Sequence, residues 1–271
     1  MTRLFKYVLP AVFLVLLCLV QLAYLLVHAS YHLEYLSDWL FFIMCIVILI
    51  LLTYLLLVYL QPKSWLKIVM LSVSLVLCVL VAAAGFRFSS VSTLSISPDG
   101  RHIFILKTKR HQTTYLQNYF WLFGKPVENL PYSTGEIGKT VWLDDDVAAV
   151  TYAQAGNAKL HVYIGTYGYR HTTQSDYYVS IMAQGKWTNG KDTLTVENRN
   201  FTVNGQKFDS SHAVQFGTSA VVLITDSAKY VVEIPKDFPA DPQTGTVVKL
   251  LRPNLIKHPS VELLQYSGIA K

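Results

Sequence analysis

Two absences divide this chain. Cysteine is missing from everything after residue 86, and charge is almost missing from everything before it. The three cysteines, Cys18, Cys45 and Cys78, fall one in each of three apolar runs. The rest of the chain therefore holds no disulfide framework, no cysteine nucleophile and no thiolate metal site. A cysteine-free exported domain is also more typical of bacteria than of eukaryotic secretory routes. Of 23 Lys/Arg and 17 Asp/Glu, only Arg3, Lys6, Lys63, Lys67, Glu34 and Asp38 lie in the first 86 residues. That leaves 19 against 15 in the remainder, interspersed, with no basic run longer than Lys107-Thr108-Lys109-Arg110. A nucleic-acid binder needs a clustered basic face, so no nucleic-acid partner is expected.

What fills the first 86 residues is apolar. The runs cover about 7–27, 39–60 and 68–86, and none contains a charge. The third, nineteen residues long, would make a helix of roughly 28 Å, close to the hydrocarbon thickness of a bilayer. The first is about 20 residues, longer than the h-region of a signal peptide, and reads as an uncleaved span. The expectation is a three-helix transmembrane segment at 1–86, followed by a separate domain at 87–271.

Orientation follows from the flanks. Arg3, Lys6, Lys63 and Lys67 fall on one side, and Glu34 and Asp38 on the other. The positive-inside rule makes the basic side cytoplasmic, which puts residues 87–271 outside a plasma membrane. Ser74, Cys78 and Ala82 recur every four residues of the third run, a small-residue face suited to close helix packing. That face would meet either the chain's own helices or those of a partner membrane protein. Trp39, Tyr59 and Trp65 fit an aromatic interface belt.

After residue 90 helical periodicity is absent until a weak hint at 261–266. Short runs rich in Val, Ile, Thr and Tyr predict strands at 102–108, 114–123, 139–143, 147–153, 159–165 and 177–183. Others follow at 193–197, 201–203, 213–216, 220–225, 230–234 and 246–250. Asn204-Gly205 signals a type I′ hairpin, and Ser97-Pro98-Asp99-Gly100 a tight turn. The expected fold is an all-β antiparallel meander, either a sandwich or propeller-like hairpins. The segment SISPDGRHIFIL resembles the strand–turn–strand of TolB-type and other β-propeller blades, though it spans about a dozen residues and no repeat period follows it.

Motifs that carry chemistry are incomplete. Ser133 to Thr140 has the Gly-Lys-Thr ending of a phosphate loop, but Ser133 stands where the first Gly is needed and a strand follows. Ser64 and Lys67 match S-x-x-K but sit in a short turn without the partner motifs. Asp144-Asp145-Asp146 lacks the alternation of a Ca²⁺ loop and reads as a hairpin turn. His28 and His32, with Glu34 or Asp38, are a weak candidate for Zn²⁺ or Cu²⁺; the remaining histidines, 102, 111, 161, 171, 212 and 258, have no ligand-like spacing. No cofactor is expected.

Aromatics are dense at Tyr115, Tyr119, Phe120, Trp121 and Phe123, and again at Tyr163, Tyr167, Tyr169, Tyr177 and Tyr178. Half should be core. Tyr119, Trp121 and Phe123 are the candidate contacts for a partner or ligand. Asn200-Phe201-Thr202 is a glycosylation sequon, relevant only in a eukaryotic secretory route.

The sequence thus points to a membrane-anchored protein whose outer β domain binds a partner or ligand, as an accessory subunit of a transporter, sensor or export complex would. The competing reading is a cell-envelope hydrolase using carboxylates drawn from Asp144, Asp145, Asp146, Asp176, Asp192 and Glu197.

Overall fold

The computed structural model describes residues 7–167, 178–255 and 260–269. Three long helices come first: α1 (Leu9–Tyr31), α2 (Trp39–Leu60) and α3 (Ser64–Phe88). Each is long and apolar enough to cross a bilayer. Their apolar side chains face outward, as lipid permits and water does not. Polar groups inside the bundle are paired. The one amide of α1, Gln21, donates from Nε2 to the Phe41 carbonyl at 3.1 Å, and Thr53 of α2 donates to Ser74 of α3 at 2.8 Å. Between α1 and α2 a two-residue strand, β1 (Glu34–Tyr35), interrupts the linker.

The all-β region follows. The first sheet combines β1 with β2 (Val91–Ile96), β3 (Ile103–Lys109), β4 (Gln112–Tyr119) and β5 (Phe123–Asn129), in the order β1-β5-β4-β3-β2. A second has three strands, β6 (Thr134–Asp144), β7 (Val147–Gln154) and β8 (Leu160–Thr166). A short helix α4 (Val179–Met182) precedes β9 (Gly185–Thr188), β10 (Thr193–Glu197), β11 (Asn200–Val203) and β12 (Gln206–Phe208). Then come β13 (Ala213–Phe216), β14 (Ala220–Ile224), β15 (Ala228–Glu233), β16 (Val247–Arg252) and β17 (Ser260–Gly268). These nine form one sheet, β12-β11-β10-β9-β17-β16-β15-β14-β13. Its edge strands β12 and β13 are joined by only residues 209–212, so the sheet curls nearly into a barrel.

The chain divides into two compact units. One comprises Met1–Thr93 and Ile105–Asn129, the helices together with most of the first sheet; the other comprises Leu94–Phe104 and Leu130–Lys271.

Within the second unit, strand alternation builds two cores from the same strands. On β14, Val221 and Leu223 point into the curled sheet with Trp187, Phe201 and Phe208. Ala220 and Val222 point the other way, onto Val147, Ala149, Val162 and Ile164 of the three-stranded sheet. β15 and β16 divide likewise, with Val232 and Leu250 inward and Val231 and Leu251 outward. A strand buried on both faces should read as a continuous apolar run, and AVVLI of β14 does.

The three-helix segment and the antiparallel meander match the expectation. Three local readings do not. Residues 179–182 are helical rather than extended, and the Trp187 indole, fully buried, donates to the carbonyl at the end of that helix, Ala183, at 2.8 Å. Residues 261–266 lie in strand β17, where Leu264 fills the inner core. The run 114–123 is not one strand but breaks at residues 120–122, where Phe120 and Trp121 adopt left-handed φ of 51° and 63°. Tyr177, expected in the 177–183 strand, lies outside the described residues.

Candidate functional site

The site lies in the first unit, at the end of the bundle where α1 stops and α2 begins. On β3 the side chains of Lys107 and Lys109 share a face, because alternate residues of a strand point the same way. Antiparallel register places Thr114 and Gln112 of β4 opposite them, and Asn129 of β5 opposite Thr114. This face of β3, β4 and β5 walls a cavity of about 720 Å³. Its other lining comes from the helix ends: Tyr24, Leu25 and His28 of α1, Phe41 and Phe42 of α2, and Phe88 of α3. The volume is in the range of small-ligand sites.

Lys107 holds the wall to the helix linker. Its Nζ donates to Glu34 Oε2 at 2.7 Å, to Asp38 Oδ1 at 2.6 Å and to the Tyr35 carbonyl at 3.1 Å. Three donors meet three acceptors, so the buried ammonium is fully satisfied. The other Asp38 oxygen, Oδ2, accepts from the Ser90 amide at 2.9 Å and its hydroxyl at 2.7 Å. Burial pushes the Asp38 pKa up, but the bonds from Lys107 and Ser90 outweigh it, and the carboxyl settles below its ordinary value. Beside this knot β1 pairs with β5 (Tyr35 opposite Phe123), and the Tyr35 ring stacks between Tyr24 at 3.9 Å and Phe123 at 5.0 Å.

Charge is graded across the cavity. Lys107 is consumed by two carboxylates, whereas Lys109 and Arg110 are exposed on the rim, and their side chains make no ion pair among the described residues. The five charged lining residues sum to +1. Exposed cations and aromatic and aliphatic groups lining one cavity suit a molecule with an anionic head and an apolar body.

The residues singled out from sequence are distributed as follows. Ser74, Cys78 and Ala82 are each half-buried among exposed neighbours on α3. Ser74 is bonded to α2, and Gly85, further along the same face, sits against the Trp39 ring, where a Cβ would meet it at 3.0 Å. Tyr119 and Trp121 are exposed at the β4–β5 tip, while Phe123 is half-buried against Tyr35. His28 bonds the Leu33 carbonyl at 2.8 Å and stacks on Tyr24. Glu34 and Asp38 serve Lys107 rather than a histidine pair.

The carboxylates weighed for hydrolysis are scattered. Asp192, 2% exposed, is held by Arg252 and by Asn204 at 2.8 Å. Asp144 lies 3.9 Å from Lys249, which also contacts the fully buried Glu233 at 3.5 Å. Glu197 closes a hairpin opposite Asn200. The Gly-Lys-Thr of 138–140 runs within strand β6, as its sequence implied, and Ser64 and Lys67 lie in the first turn of α3. Asp176, Tyr169, His171 and His258 fall outside the described residues.

Sequence reasoning missed Lys107. The signal available was a lysine ending the apolar run IFIL, together with the only two acids of the first 86 residues. Comparison with protein-family models, with curated proteins and with solved structures gives no match.

Proposed function

We propose that this membrane-anchored β protein is a binding protein, and that its ligand is an anionic amphiphile held in the cavity at the helix mouth. The observation that carries the reading is the mixed lining just described: Lys109 and Arg110, without an ion pair among the described residues, share the cavity with Tyr24, Leu25, Phe41, Phe42 and Phe88. The head would take charge-assisted hydrogen bonds from the rim, and the chains would lie on the helix ends. Neither catalysis nor a cofactor is required. The spans bury only 6%, 6% and 11% of their most apolar windows, which leaves broad helix surfaces for lipid or for another protein's helices, as an accessory subunit would need. The expected orientation puts the mouth on the outer face of a plasma membrane.

The test is extraction of the full-length protein in mild detergent, followed by identification of what remains bound. The proposal expects an anionic lipid retained by the wild type and lost from the Lys109→Ala/Arg110→Ala variant. Retention of a zwitterionic lipid alone, or equal retention by both proteins, would overturn it.

A further inference from the structure

The tip of the β4–β5 hairpin is built against the ordinary chemistry of turns. Phe120 and Trp121 occupy left-handed backbone, at φ 51° and 63°, a region that bulky side chains rarely adopt. The chain makes the same left-handed pair at Arg110-His111 (φ 49° and 66°), Asn198-Arg199 (50° and 64°) and Asn204-Gly205 (49° and 82°), but there with polar residues or glycine. What sets the β4–β5 tip apart is that both of its left-handed residues are large and aromatic. Phe120 is 78% exposed, Trp121 79% and Leu122 53%, a cluster of large apolar groups that the described residues leave largely uncovered, with the Tyr119 ring 5.2 Å from Phe120.

Its position names the cover. The Leu36 amide, in the linker between α1 and α2, donates to the Leu122 carbonyl at 2.9 Å. The adjoining Phe123 ring lies 6.2 Å from Tyr24. Tyr24 is seven residues before the end of α1, about 10 Å along the helix axis at ~1.5 Å per residue. The tip is thus beside the last turns of a membrane-crossing helix, at the level where bilayer hydrocarbon gives way to head groups. Aromatic and aliphatic side chains with polar backbone partners are the groups that such an interface accepts.

We infer that Phe120, Trp121 and Leu122 insert into the bilayer interface beside α1, as a lipid-facing foot of the first sheet. The occupant is the membrane in which the helices sit, not a second protein. This rests on the helices' crossing the bilayer and on the hairpin geometry, and is independent of what fills the cavity.

The experiment places a nitroxide label at Leu122→Cys, and in a second protein at Phe120→Cys, with Cys18, Cys45 and Cys78 replaced by alanine. The full-length chain is reconstituted in phosphatidylcholine vesicles. Accessibility is read with oxygen, which concentrates in lipid, and with a water-soluble nickel chelate. The expected oxygen-to-nickel ratio is severalfold above that of the same label on a soluble cysteine peptide. A ratio equal to the peptide's overturns the inference. Low accessibility to both reagents, the signature of burial against protein, overturns it equally.

Discussion

The two units of this chain are held by different physics. The second is mainly apolar: its strands bury Val, Leu and Ala on both faces, although it also buries Asp192 against Arg252 and Glu233 against Lys249. The first has few buried residues, and its linker strand, besides pairing with β5, is held to the sheet by a buried lysine between two carboxylates. Apolar cores gain stability roughly in proportion to buried area and are insensitive to pH. A buried ionic knot depends on each partner and on the protonation of each. The contrast teaches where to look for ligand chemistry, because in the first unit the buried lysine and its two carboxylates line a cavity beside a membrane-crossing helix, with two exposed cations next to them.

The comparison can be broken most forcefully in the second unit. Trp187 is 1% exposed and touches the rings of Phe238 and Tyr266. Trp187→Ala should cost about 4 kcal/mol, as large-to-small core changes do. Hydrogen exchange is expected to rise across the nine-stranded sheet while amides around Glu34 and Lys107 change little. A uniform rise would mean that the two units are not separately stabilised.

Next is Lys107→Met, which keeps the apolar stem and strands Glu34 and Asp38. The expected loss is about 3 kcal/mol, the low end for breaking a buried pair, because the Glu34 side chain is 33% exposed. Thermal unfolding in detergent reads it, and the cavity should lose its ligand as its wall separates from the linker. A variant as stable as the wild type would reduce the knot to decoration.

The smallest effect is the pH response. Asp38 has a folded pKa below its ordinary value of 3.8. It therefore contributes stability that is present above that value and disappears as pH falls through the lower folded value. Stability of the first unit should be flat near neutrality and fall below about pH 4, and Asp38→Asn should remove that part of the slope. An unchanged acid limb in Asp38→Asn would assign the titration elsewhere.

Much of this was legible in sequence, for stated reasons. Charge-free runs of 19 to 22 residues leave little choice but spans, and β-branched runs punctuated by Asn204-Gly205 and the Ser97–Gly100 turn specify hairpins. What stayed hidden depends on distance along the chain. Lys107 and Glu34 are 73 residues apart, and nothing local in either announces the other. The β4–β5 turn was missed because Phe120 and Trp121 are strand formers placed where asparagine and glycine would ordinarily mark a reversal. Residues 261–266 looked faintly helical because burial in β17 alternates while residue type does not: Glu262 lies on the inner side with Leu264, and Val261 and Leu263 lie on the exposed side. The stripe Ser74, Cys78 and Ala82 was found by spacing, but only coordinates connect Ser74 to Thr53 of the same chain.

The central claim is that the exposed cations at the helix mouth, Lys109 and Arg110, bind an anionic head carried on an apolar body. The direct measurement is an equilibrium titration of the detergent-solubilised full chain with short-chain phosphatidylglycerol, short-chain phosphatidylcholine and glycerol phosphate. The account predicts that phosphatidylglycerol binds tightest, that glycerol phosphate alone binds weakly for want of an apolar body, and that Lys109→Ala/Arg110→Ala weakens phosphatidylglycerol about tenfold, or about 1.4 kcal/mol. Equal affinity for the two lipids, or no change in the double variant, would contradict it.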